Sequence, residues 1–291
     1  MIAFVFPGQA SQFVGMGKDL MEDGHRSGLF SQANDILGFD IRRIMCEGSE
    51  EDLVQTSVTQ PAVFLHSVMK YLSYQGDLRP TAVAGHSLGE FSALVANGCL
   101  TFEDGLQLVR ARAEAMQRAC DSRSGTMAAI VGIADEVVEQ VCSETEGIVV
   151  PANFNCPGQL VISGAHAAVT AACEALTKLG ARRAILLPVG GAFHSPLMQP
   201  AQTELAAAIE KTAFSQPICP IYQNVNGLAQ QDPVQIRTNL VQQLTSPVRW
   251  TTTIQNLISG GTNTFVEVGG TGKVLQGMIK RIDRESVTSA L

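Results

Sequence analysis

The chain has 291 residues, of which 45% are hydrophobic and 16% charged, so it can bury the core of one large domain carrying a smaller one. Its formal net charge of −7 argues against nucleic acid and anionic membranes as partners. The seven cysteines are odd in number and form no C-x-x-C pair, so they suggest neither disulfides nor a metal site such as zinc, and a cytoplasmic location is expected. No apolar run is long enough to span a membrane, and the apolar N-terminus lacks the basic segment of a signal peptide.

The first predicted strand, residues 2–6, is a continuous apolar run followed by Pro7-Gly8-Gln9-Ala10. Loops at the carboxyl ends of parallel strands are where α/β folds bind ligands, and Gln9 offers a side-chain amide and its own backbone N–H there. A phosphate-binding loop is the alternative, but the pattern G-x-x-x-x-G-K-[ST] is missing. Helices are predicted next at residues 16–21, 26–37, 49–53 (with a capping box at Ser49) and 62–74 (opened by residues 59–61).

Residues 81–98 read TAVAGHSLGEFSALVANG, which predicts a strand, a sharp turn and a helix. A G-x-S-x-G pentapeptide between a strand and a helix indicates a nucleophile elbow, with Ser87 at its tip. Gly85 and Gly89 are needed because Cβ atoms there would collide with the neighbouring strand and helix. The backbone N–H of Leu88, at the start of the helix, is then free to donate to an oxyanion. The alternative is a tight turn with a passive serine.

The next predicted helix begins at the capping-box pair Thr101 and Asp104 and ends near residues 116–120. An arginine on such a helix is usually exposed or paired with an acid on the surface. Arg112 becomes functional only if its face of the helix turns toward Ser87. A guanidinium there would hold a carboxylate with two parallel hydrogen bonds.

From about residue 122 the pattern changes to βαββαβ, which is typical of a ferredoxin-like domain. Its predicted elements are strand 126–132, helix 136–144, strands 148–152 and 160–164, helix 166–179 and strand 183–189. The predicted fold class is therefore α/β. A large α/β-hydrolase-like domain at residues 1–122 and 192–291 holds a parallel sheet and the nucleophile elbow, and a small ferredoxin-like subdomain at residues 123–191 is inserted into it. The later predicted elements are a helix from Pro196, strand 217–224, helices 233–244 and 252–259, strand 264–268 and helix 273–281.

A serine hydroxyl needs a base within hydrogen-bond distance, and the chain has five histidines. His194 lies in the glycine-rich loop that returns from the insertion, and such loops position functional groups. The other four are His25 in a polar segment, His66 on an apolar helix, His86 inside the elbow and pointing away from the serine, and His166 at a helix start. Pairing Ser87 with His194 predicts acyl transfer through an acyl-serine. Hydrolysis is the default outcome unless the site withholds water and offers another acceptor.

Several motifs follow one another in a characteristic order. They are FPGQ at residues 6–9, GHSLGE at 85–90, Arg112, NFNCPGQ at 153–159, AFHS at 192–195 and QLTSPVR at 243–249. With these motifs the sequence resembles, over essentially its whole length, the malonyl-CoA:acyl-carrier-protein transacylases of bacterial type II fatty-acid synthesis. It is similar also to the acyltransferases of polyketide synthases.

The resemblance implies a role for each matching residue. Ser87 would become malonylated, and His194 would take its proton and later return it to the departing thiol. A main-chain carbonyl near Gln243, rather than a carboxylate, would orient the imidazole. The backbone N–H groups of Gln9 and Leu88 would form the oxyanion hole.

Specificity is also implied by the resemblance. Arg112 would pair with the free carboxylate of the malonyl group and so disfavour acetyl-CoA. Phe193 matches the malonyl-selecting pattern of the family, in which a smaller side pocket excludes a branching methyl group. His86 and Asn155 fall within the matching motifs and are expected to support the site.

The expected reaction carries malonyl from malonyl-CoA to the phosphopantetheine thiol of an acyl carrier protein, with malonyl-CoA as substrate and no permanently bound cofactor. Carrier proteins are acidic, and Arg182 and Arg183 are a candidate docking pair. A monomer is expected. The alternatives are a stand-alone acyltransferase of a polyketide synthase, a serine esterase or thioesterase, and a non-catalytic module that binds carrier proteins.

The chain departs from the family pattern at two positions. Ala10 stands where glycine is common, and alanine would be strained there if the backbone needs a positive φ. The loop Gly269-Gly270-Thr271-Gly272 is one residue longer than the usual Gly-Pro-Gly. Neither departure touches Ser87, His194 or Arg112.

Overall fold

The computed structural model describes residues 1–21 and 26–291, and within these ranges two sheets and the helices packed on them form the fold. The strands are β1 Ile2–Phe6, β2 Ala82–Gly85, β3 Gly125–Val131, β4 Val149–Cys156, β5 Gln159–Ala165, β6 Arg183–Leu186, β7 Ile221–Tyr222, β8 Ala229–Gln230, β9 Thr264–Glu267 and β10 Val287–Ala290. The helices are α1 Arg26–Leu37, α2 Ile41–Glu47, α3 Glu50–Val54, α4 Thr56–Leu72, α5 Gly89–Ala96, α6 Phe102–Ser122, α7 Asp135–Glu144, α8 His166–Lys178, α9 Gln199–Lys211, α10 Pro233–Gln242, α11 Trp250–Ser259 and α12 Val274–Ile282.

The large sheet has the strand order β10-β9-β1-β2-β7-β8, and all neighbours run parallel except the last pair. Strand β1 lies in the middle, and its Ala3–Phe6 side chains are completely buried, as its unbroken apolar run predicts. In the register of the sheet, Phe6 pairs with Gly85 of β2, and Val5 pairs with Glu267 of β9. The carboxyl ends of these three strands therefore meet at one edge of the sheet.

The small sheet is antiparallel, with the strand order β4-β5-β3-β6, and α7 and α8 pack against it. It has its own hydrophobic core, which includes Ile130, Leu160 and Ile162. Its edge strand β4 also forms main-chain hydrogen bonds with Val248, which precedes α11. Phe154 N–H donates to Val248 O at 2.9 Å, and Val248 N–H donates to Ala152 O at 2.8 Å. Main-chain hydrogen bonds thus fix the small unit against the segment that precedes α11.

The predicted capping box at Ser49 is confirmed, and the one at Thr101 is formed in one direction. The Ser49 and Asp52 pair satisfies the first backbone N–H groups of α3 in both directions, and Thr101 accepts from the Asp104 N–H at the start of α6. The predicted start of α4 at residue 62 is wrong, because the helix begins at Thr56 and Pro61 lies inside it. Every residue of α4 from Thr59 to Met69 is buried, and this burial outweighs the hydrogen bond that proline cannot donate.

Other differences concern short or weakly patterned segments. The helix predicted at residues 16–21 is only a 3-10 turn, Lys18–Leu20, and the strand predicted at 217–224 is reduced to β7. Strands β8 and β10 and helix α2 were not predicted. Within the two described ranges, no helix has both the length and the hydropathy needed to cross a membrane.

Candidate functional site

A cavity of about 260 Å³ opens where the carboxyl edge of the large sheet faces the small sheet. Gln9 follows β1, Ser87 follows β2, and His194 lies on the loop that returns from the small sheet. Met127 and Val161 of the small sheet line the same cavity. The topology therefore brings together three loops that are far apart in the sequence.

The elbow has the strained geometry that its glycines predict. Ser87 has a φ of +52°, which is rare for residues with a side chain. A Cβ at Gly85 would lie 1.9 Å from the carbonyl carbon of Gly89, and a Cβ at Gly89 would lie 2.0 Å from Phe6 O. No side chain fits at either glycine, so β2, the turn and α5 approach one another closely enough to present the Ser87 hydroxyl at the cavity.

Ser87 and His194 are in direct contact. Ser87 Oγ lies 2.7 Å from His194 Nε2, and His194 Nδ1 lies 3.0 Å from Gln243 O and 3.2 Å from Ser246 O. Both partners of Nδ1 are carbonyl acceptors, so we assign the proton to Nδ1 and leave Nε2 to accept from the serine hydroxyl. Two main-chain carbonyls occupy the place that a carboxylate has in a Ser-His-Asp triad.

The His194 imidazole is held neutral by its surroundings. Burial lowers its pKa to about 3, with a further contribution from the positive charge of Arg112, and the hydrogen bonds to Gln243 and Ser246 oppose this shift. A neutral imidazole can accept the serine proton. The geometry therefore supports general-base chemistry over a wide range of pH.

We expect the rate of serine acylation to stay constant as the pH falls from about 7 to about 5, because the base is lost only as the pH approaches its folded-state pKa of about 3.

The stability of the fold should depend on pH in a different way. Between the ordinary histidine pKa of 6.5 and about 3, the unfolded chain binds a proton at residue 194 that the folded chain does not bind. The free energy of unfolding should therefore decrease as the pH falls through this window. Single-turnover acylation after a pH jump, and urea unfolding at each pH, measure the two effects. An acylation midpoint near 6.5 would contradict the first.

Arg112 turns toward the serine although it is almost completely buried, with an exposure of 1%. Its Nη1 donates to Gln60 Oε1 at 2.7 Å, and its Nη2 donates to Ser87 Oγ at 3.0 Å and to Gln243 Oε1 at 3.4 Å. Burial lowers its pKa to about 10, so the guanidinium remains charged at neutral pH. Among the described residues no carboxylate lies within ion-pair distance of it. A buried cation with neutral partners next to a nucleophile is suited to binding an anionic group.

Gln9 and Leu88 both line the cavity on the serine's side. Their backbone N–H groups take no part in the hydrogen bonds of the described residues. The segment that carries Gln9 packs tightly on the elbow, since a Cβ at Gly8 would lie 2.5 Å from His86 O. The two N–H groups are thus available near Ser87.

Ala10 has a φ of +76°, so alanine occupies a left-handed backbone conformation at the end of this loop. Its N–H donates to Gln12 Oε1 at 2.8 Å. The longer glycine loop packs against the same segment, because Gly270 lies close to Pro7 and Ser11. The expected cost of alanine at residue 10 is therefore present in the structure.

Replacing Ala10 with glycine is expected to raise the free energy of unfolding by up to about 1 kcal/mol. The relief of left-handed strain, about 1–2 kcal/mol, is offset in part by the greater freedom of glycine in the unfolded chain. Ala10→Val should lower it by more than about 1 kcal/mol, because a β-branched side chain tolerates positive φ poorly. Urea unfolding of the three proteins measures both changes, and equal destabilisation by glycine and valine would disprove the strain.

The remaining predicted residues are placed as follows. Phe193 is buried and lines the cavity. His86 Nε2 lies 2.9 Å from Asn155 Oδ1, so the imidazole points toward β4 and away from Ser87, and burial lowers its pKa. Arg182 and Arg183 are exposed beside β6.

The other histidines do not reach the serine. His66 is buried, its Nδ1 accepts from the Gly270 N–H at 3.0 Å, and its Nε2 lies 3.4 Å from Asp19 Oδ1. His166 is exposed at the start of α8. His25 lies outside the described residues. Arg110, on the exposed face of α6, pairs with Glu114 at 2.8 Å.

Sequence reasoning missed three polar residues that surround the pair. Gln60 binds Arg112, and Asn224 bridges the elbow by accepting from Ser87 N–H at 2.7 Å and donating to Gly85 O at 2.6 Å. Glu90 is buried one helical turn after the serine. Asn224 could have been found, since it ends a predicted strand at the edge of the sheet where ligands bind. Glu90 is the last residue of the GHSLGE motif, which assigned it no role, and Gln60 had no distinguishing signal in the sequence.

No cluster of three or more metal-ligating side chains occurs in residues 1–21 and 26–291. The arrangement at the cavity is a serine with a neutral imidazole base, two available N–H groups and a buried guanidinium. It is suited to acyl transfer with an anionic acyl group.

Comparison with known proteins agrees with this chemistry. Residues 3–290 match the family model described as the acyl transferase domain. The chain is 41% identical to the malonyl CoA-acyl carrier protein transacylase of Bacillus subtilis, over 100% of this chain and 93% of the relative. It is 44% identical to the Haemophilus influenzae protein of the same name, over 96% of this chain and 91% of the relative.

Solved structures give the same result. The acyl-carrier-protein S-malonyltransferase of Burkholderia pseudomallei superposes with a TM-score of 0.95 at 40% identity, covering 99% of this chain and 95% of that one. A malonyl-transacylase solved in complex with its type II polyketide synthase (PKS) acyl-carrier protein has a TM-score of 0.95 at 40% identity, covering 100% of this chain and 95% of that one. The chain therefore belongs to the acyl transferase domain family and, within it, to the malonyl-CoA:acyl-carrier-protein transacylases.

Proposed function

We propose that this protein transfers the malonyl group of malonyl-CoA to the phosphopantetheine thiol of an acyl carrier protein, through a malonyl ester of Ser87. The observation that carries the proposal is the buried Arg112 guanidinium, which donates to Ser87 Oγ and has no carboxylate partner among the described residues. A malonyl thioester supplies the missing carboxylate and places its carbonyl carbon near the nucleophile. Fatty-acid synthesis is the process that such a reaction supplies.

In the first half-reaction, Ser87 gives its proton to His194 Nε2 while Oγ attacks the thioester carbonyl carbon. The N–H groups of Gln9 and Leu88 stabilise the oxyanion that forms. The carbon–sulfur bond then breaks, and the imidazolium returns its proton to the sulfur of CoA. Gln243 O and Ser246 O accept from Nδ1 throughout and stabilise the transient imidazolium.

The second half-reaction reverses these steps with a different thiol. The carrier thiol gives its proton to His194, its sulfur attacks the ester carbonyl of malonyl-Ser87, and Oγ leaves with the proton from the imidazolium. One thioester is exchanged for another of similar free energy, so the transfer is readily reversible. Malonyl-CoA is a substrate in this scheme, and no bound cofactor is needed.

Arg112 also influences the base. Its charge lowers the pKa of His194, and a malonyl carboxylate bound to the guanidinium neutralises part of that charge. The substrate therefore raises the basicity of the group that activates its own nucleophile. Acetyl-CoA lacks the carboxylate, so the guanidinium keeps only its partners in the protein and the pKa of His194 stays low.

Two further assignments concern the domain boundaries and the cellular location. We assign residues 1–122 and 192–291 to an α/β-hydrolase-like domain and residues 123–191 to a ferredoxin-like subdomain. The strand order β4-β5-β3-β6 with α7 and α8 as connections, and a separate core, support the second of these. All seven cysteines are free thiols, which supports a reducing cytoplasm.

The enzyme is expected to be a monomer. The acyl carrier protein is expected to dock on it beside β6. Arg182 and Arg183 are exposed there, and the chain continues from β6 to Leu187 and Val189, which line the cavity. Reversing both charges should slow transfer to an acidic carrier protein while leaving acylation by malonyl-CoA unchanged. Transfer to the carrier at the wild-type rate would exclude this docking site.

Intact-mass spectrometry after brief exposure to malonyl-CoA, acetyl-CoA or methylmalonyl-CoA tests the proposed function. A malonyl adduct is expected, with little acetyl adduct because of Arg112 and little methylmalonyl adduct because Phe193 narrows the cavity. If no adduct forms, the transferase proposal fails. If the adduct forms and is lost rapidly to water rather than to a thiol, the protein is a thioesterase.

A role in polyketide synthesis is the second candidate, favoured by the similarity to the malonyl-transacylase solved with a type II PKS carrier. The chemistry at Ser87 is the same in both pathways. Competition between a fatty-acid carrier and a polyketide carrier for the malonyl-enzyme distinguishes them, since the preferred carrier has the higher kcat/KM.

A further inference from the structure

Glu90 is a buried carboxylate that the transfer mechanism does not use. It lies in the first turn of α5, three residues after Ser87, and is completely inaccessible to solvent. Within the described ranges no basic side chain lies within ion-pair distance of it. Burial raises the pKa of Glu90, and the hydrogen bonds that its oxygens accept from Asn224, Gln223 and Gln243 oppose that shift, together with the positive charge of Arg112.

The hydrogen bonds of Glu90 come from two residues that contact the nucleophile and from Gln223. Its Oε2 accepts from the Asn224 backbone N–H at 2.9 Å and from Gln243 Nε2 at 3.0 Å, and its Oε1 accepts from Gln223 Nε2 at 2.9 Å. The Asn224 side chain bridges Ser87 N–H and Gly85 O. Glu90 thus holds the residue that clamps the elbow.

The Gln243 amide lies between two opposite charges. Its Oε1 faces Arg112 Nη2 at 3.4 Å, while its Nε2 donates to Glu90 and, at 3.0 Å, to Ser87 O. The cation attracts the amide oxygen and the carboxylate attracts the amide N–H, so both charges favour the same orientation of the amide. The main-chain carbonyl of Gln243 holds His194 Nδ1. One residue therefore connects the base, the nucleophile and the guanidinium, and Glu90 fixes it.

We propose that Glu90 is a positioning residue for the transfer reaction, which orients the Gln243 amide between itself and Arg112 and thereby places His194 and Arg112 relative to Ser87. This inference rests on the proposed function. Without the carboxylate, the Gln243 amide nitrogen keeps only Ser87 O as an acceptor, so the orientation of the amide is held less firmly. If the Gln243 side-chain amide then flips, it presents its NH2 group to the Arg112 guanidinium. This displaces Arg112 and loosens the segment that orients the His194 imidazole.

The test compares Glu90→Ala and Glu90→Gln with wild type in single-turnover acylation by malonyl-CoA, recording the rate constant and the fraction of enzyme that becomes acylated. Glu90→Ala is expected to acylate to the same final extent, with a rate constant about 10- to 100-fold lower. Glu90→Gln should recover part of the rate, because its carboxamide oxygen still accepts from Gln243 Nε2. The malonyl-to-acetyl rate ratio should fall in both variants.

Asn97→Ala is the matched control, since it removes a buried side-chain amide at the other end of α5 that, among the described residues, bonds to Cys99 N and Cys219 O. It should lower the melting temperature without changing the rate constant. If Glu90 had a purely structural role, Glu90→Ala would behave like this control: a smaller fraction of the enzyme would be acylated, at an unchanged rate constant. That result would overturn the proposal. Should Glu90→Ala not fold, a wild-type rate constant and acyl selectivity in Glu90→Gln overturn it equally. Failure of wild type to form any adduct would instead disprove the proposed function.

Discussion

Replacing Ser87 with alanine is expected to abolish the malonyl adduct and to reduce malonyl transfer by at least about 10⁴-fold. The hydroxyl is the acceptor of the acyl group, and its 2.7 Å contact with His194 Nε2 provides the route for its proton. His194→Ala should cause a loss of similar size, because the serine then has no base. The two losses should not add in the double variant, since each residue acts only with the other.

Ser92→Ala is the control for Ser87→Ala. Ser92 is buried on the same helix, α5, and its hydroxyl has no hydrogen-bond partner in the described parts of the chain. This variant should form the malonyl adduct at the wild-type rate. An adduct that persists in Ser87→Ala, located by peptide mapping at another residue, would show that the nucleophile has been misassigned.

Replacing Arg112 with alanine is expected to reverse the preference of the enzyme among acyl groups. Malonyl loading should fall steeply, because its carboxylate would enter a buried site without a cation. Acetyl loading should rise, because the unpaired guanidinium no longer opposes an uncharged acyl group. Sites built on such polar pairs discriminate by about 10⁴–10⁵, so the ratio of malonyl to acetyl kcat/KM should change by up to that factor.

Arg110→Ala provides a control on the same helix. Arg110 is two residues away, exposed, and bound to Glu114 and Ile36 O. Its removal should leave the malonyl-to-acetyl ratio unchanged, since exposed ion pairs contribute little. Equal loading of malonyl and acetyl by wild type, or an unchanged ratio in Arg112→Ala, would exclude Arg112 as the residue that selects the substrate.

The local features of the site could be predicted because they depend on a few neighbouring residues. The strand–turn–helix around Ser87 requires glycines at fixed positions, and the collisions that a Cβ would cause at Gly85 and Gly89 confirm that requirement. The family resemblance, in which glycine is common at residue 10, indicated that alanine would be strained there if φ were positive, and Ala10 has a φ of +76°. The βαββαβ order of the small sheet followed from the alternation of strand and helix patterns.

The polar network behind the site could not be predicted, because its members meet only through the sheet order. Glu90 and Asn224 are 134 residues apart in the sequence and are joined by the placement of β7 beside β2. At Pro61 a local rule led to a wrong prediction, because the burial of α4 outweighs the unfavourable effect of proline inside a helix. Short edge strands such as β10 carry too few residues for a clear alternation.

The order of strands in the large sheet also constrains how the protein is made. Strands β1 and β2 are synthesised early, but their outer neighbours, β9 and β7, come from the last third of the chain. At about 5–20 residues per second, the apolar edges of the β1–β2 pair stay unpaired on the ribosome for roughly ten seconds or more. Unpaired edges of this kind promote aggregation. We therefore expect N-terminal fragments that end before β7 to be insoluble, and we expect activity to emerge only once the chain is nearly complete.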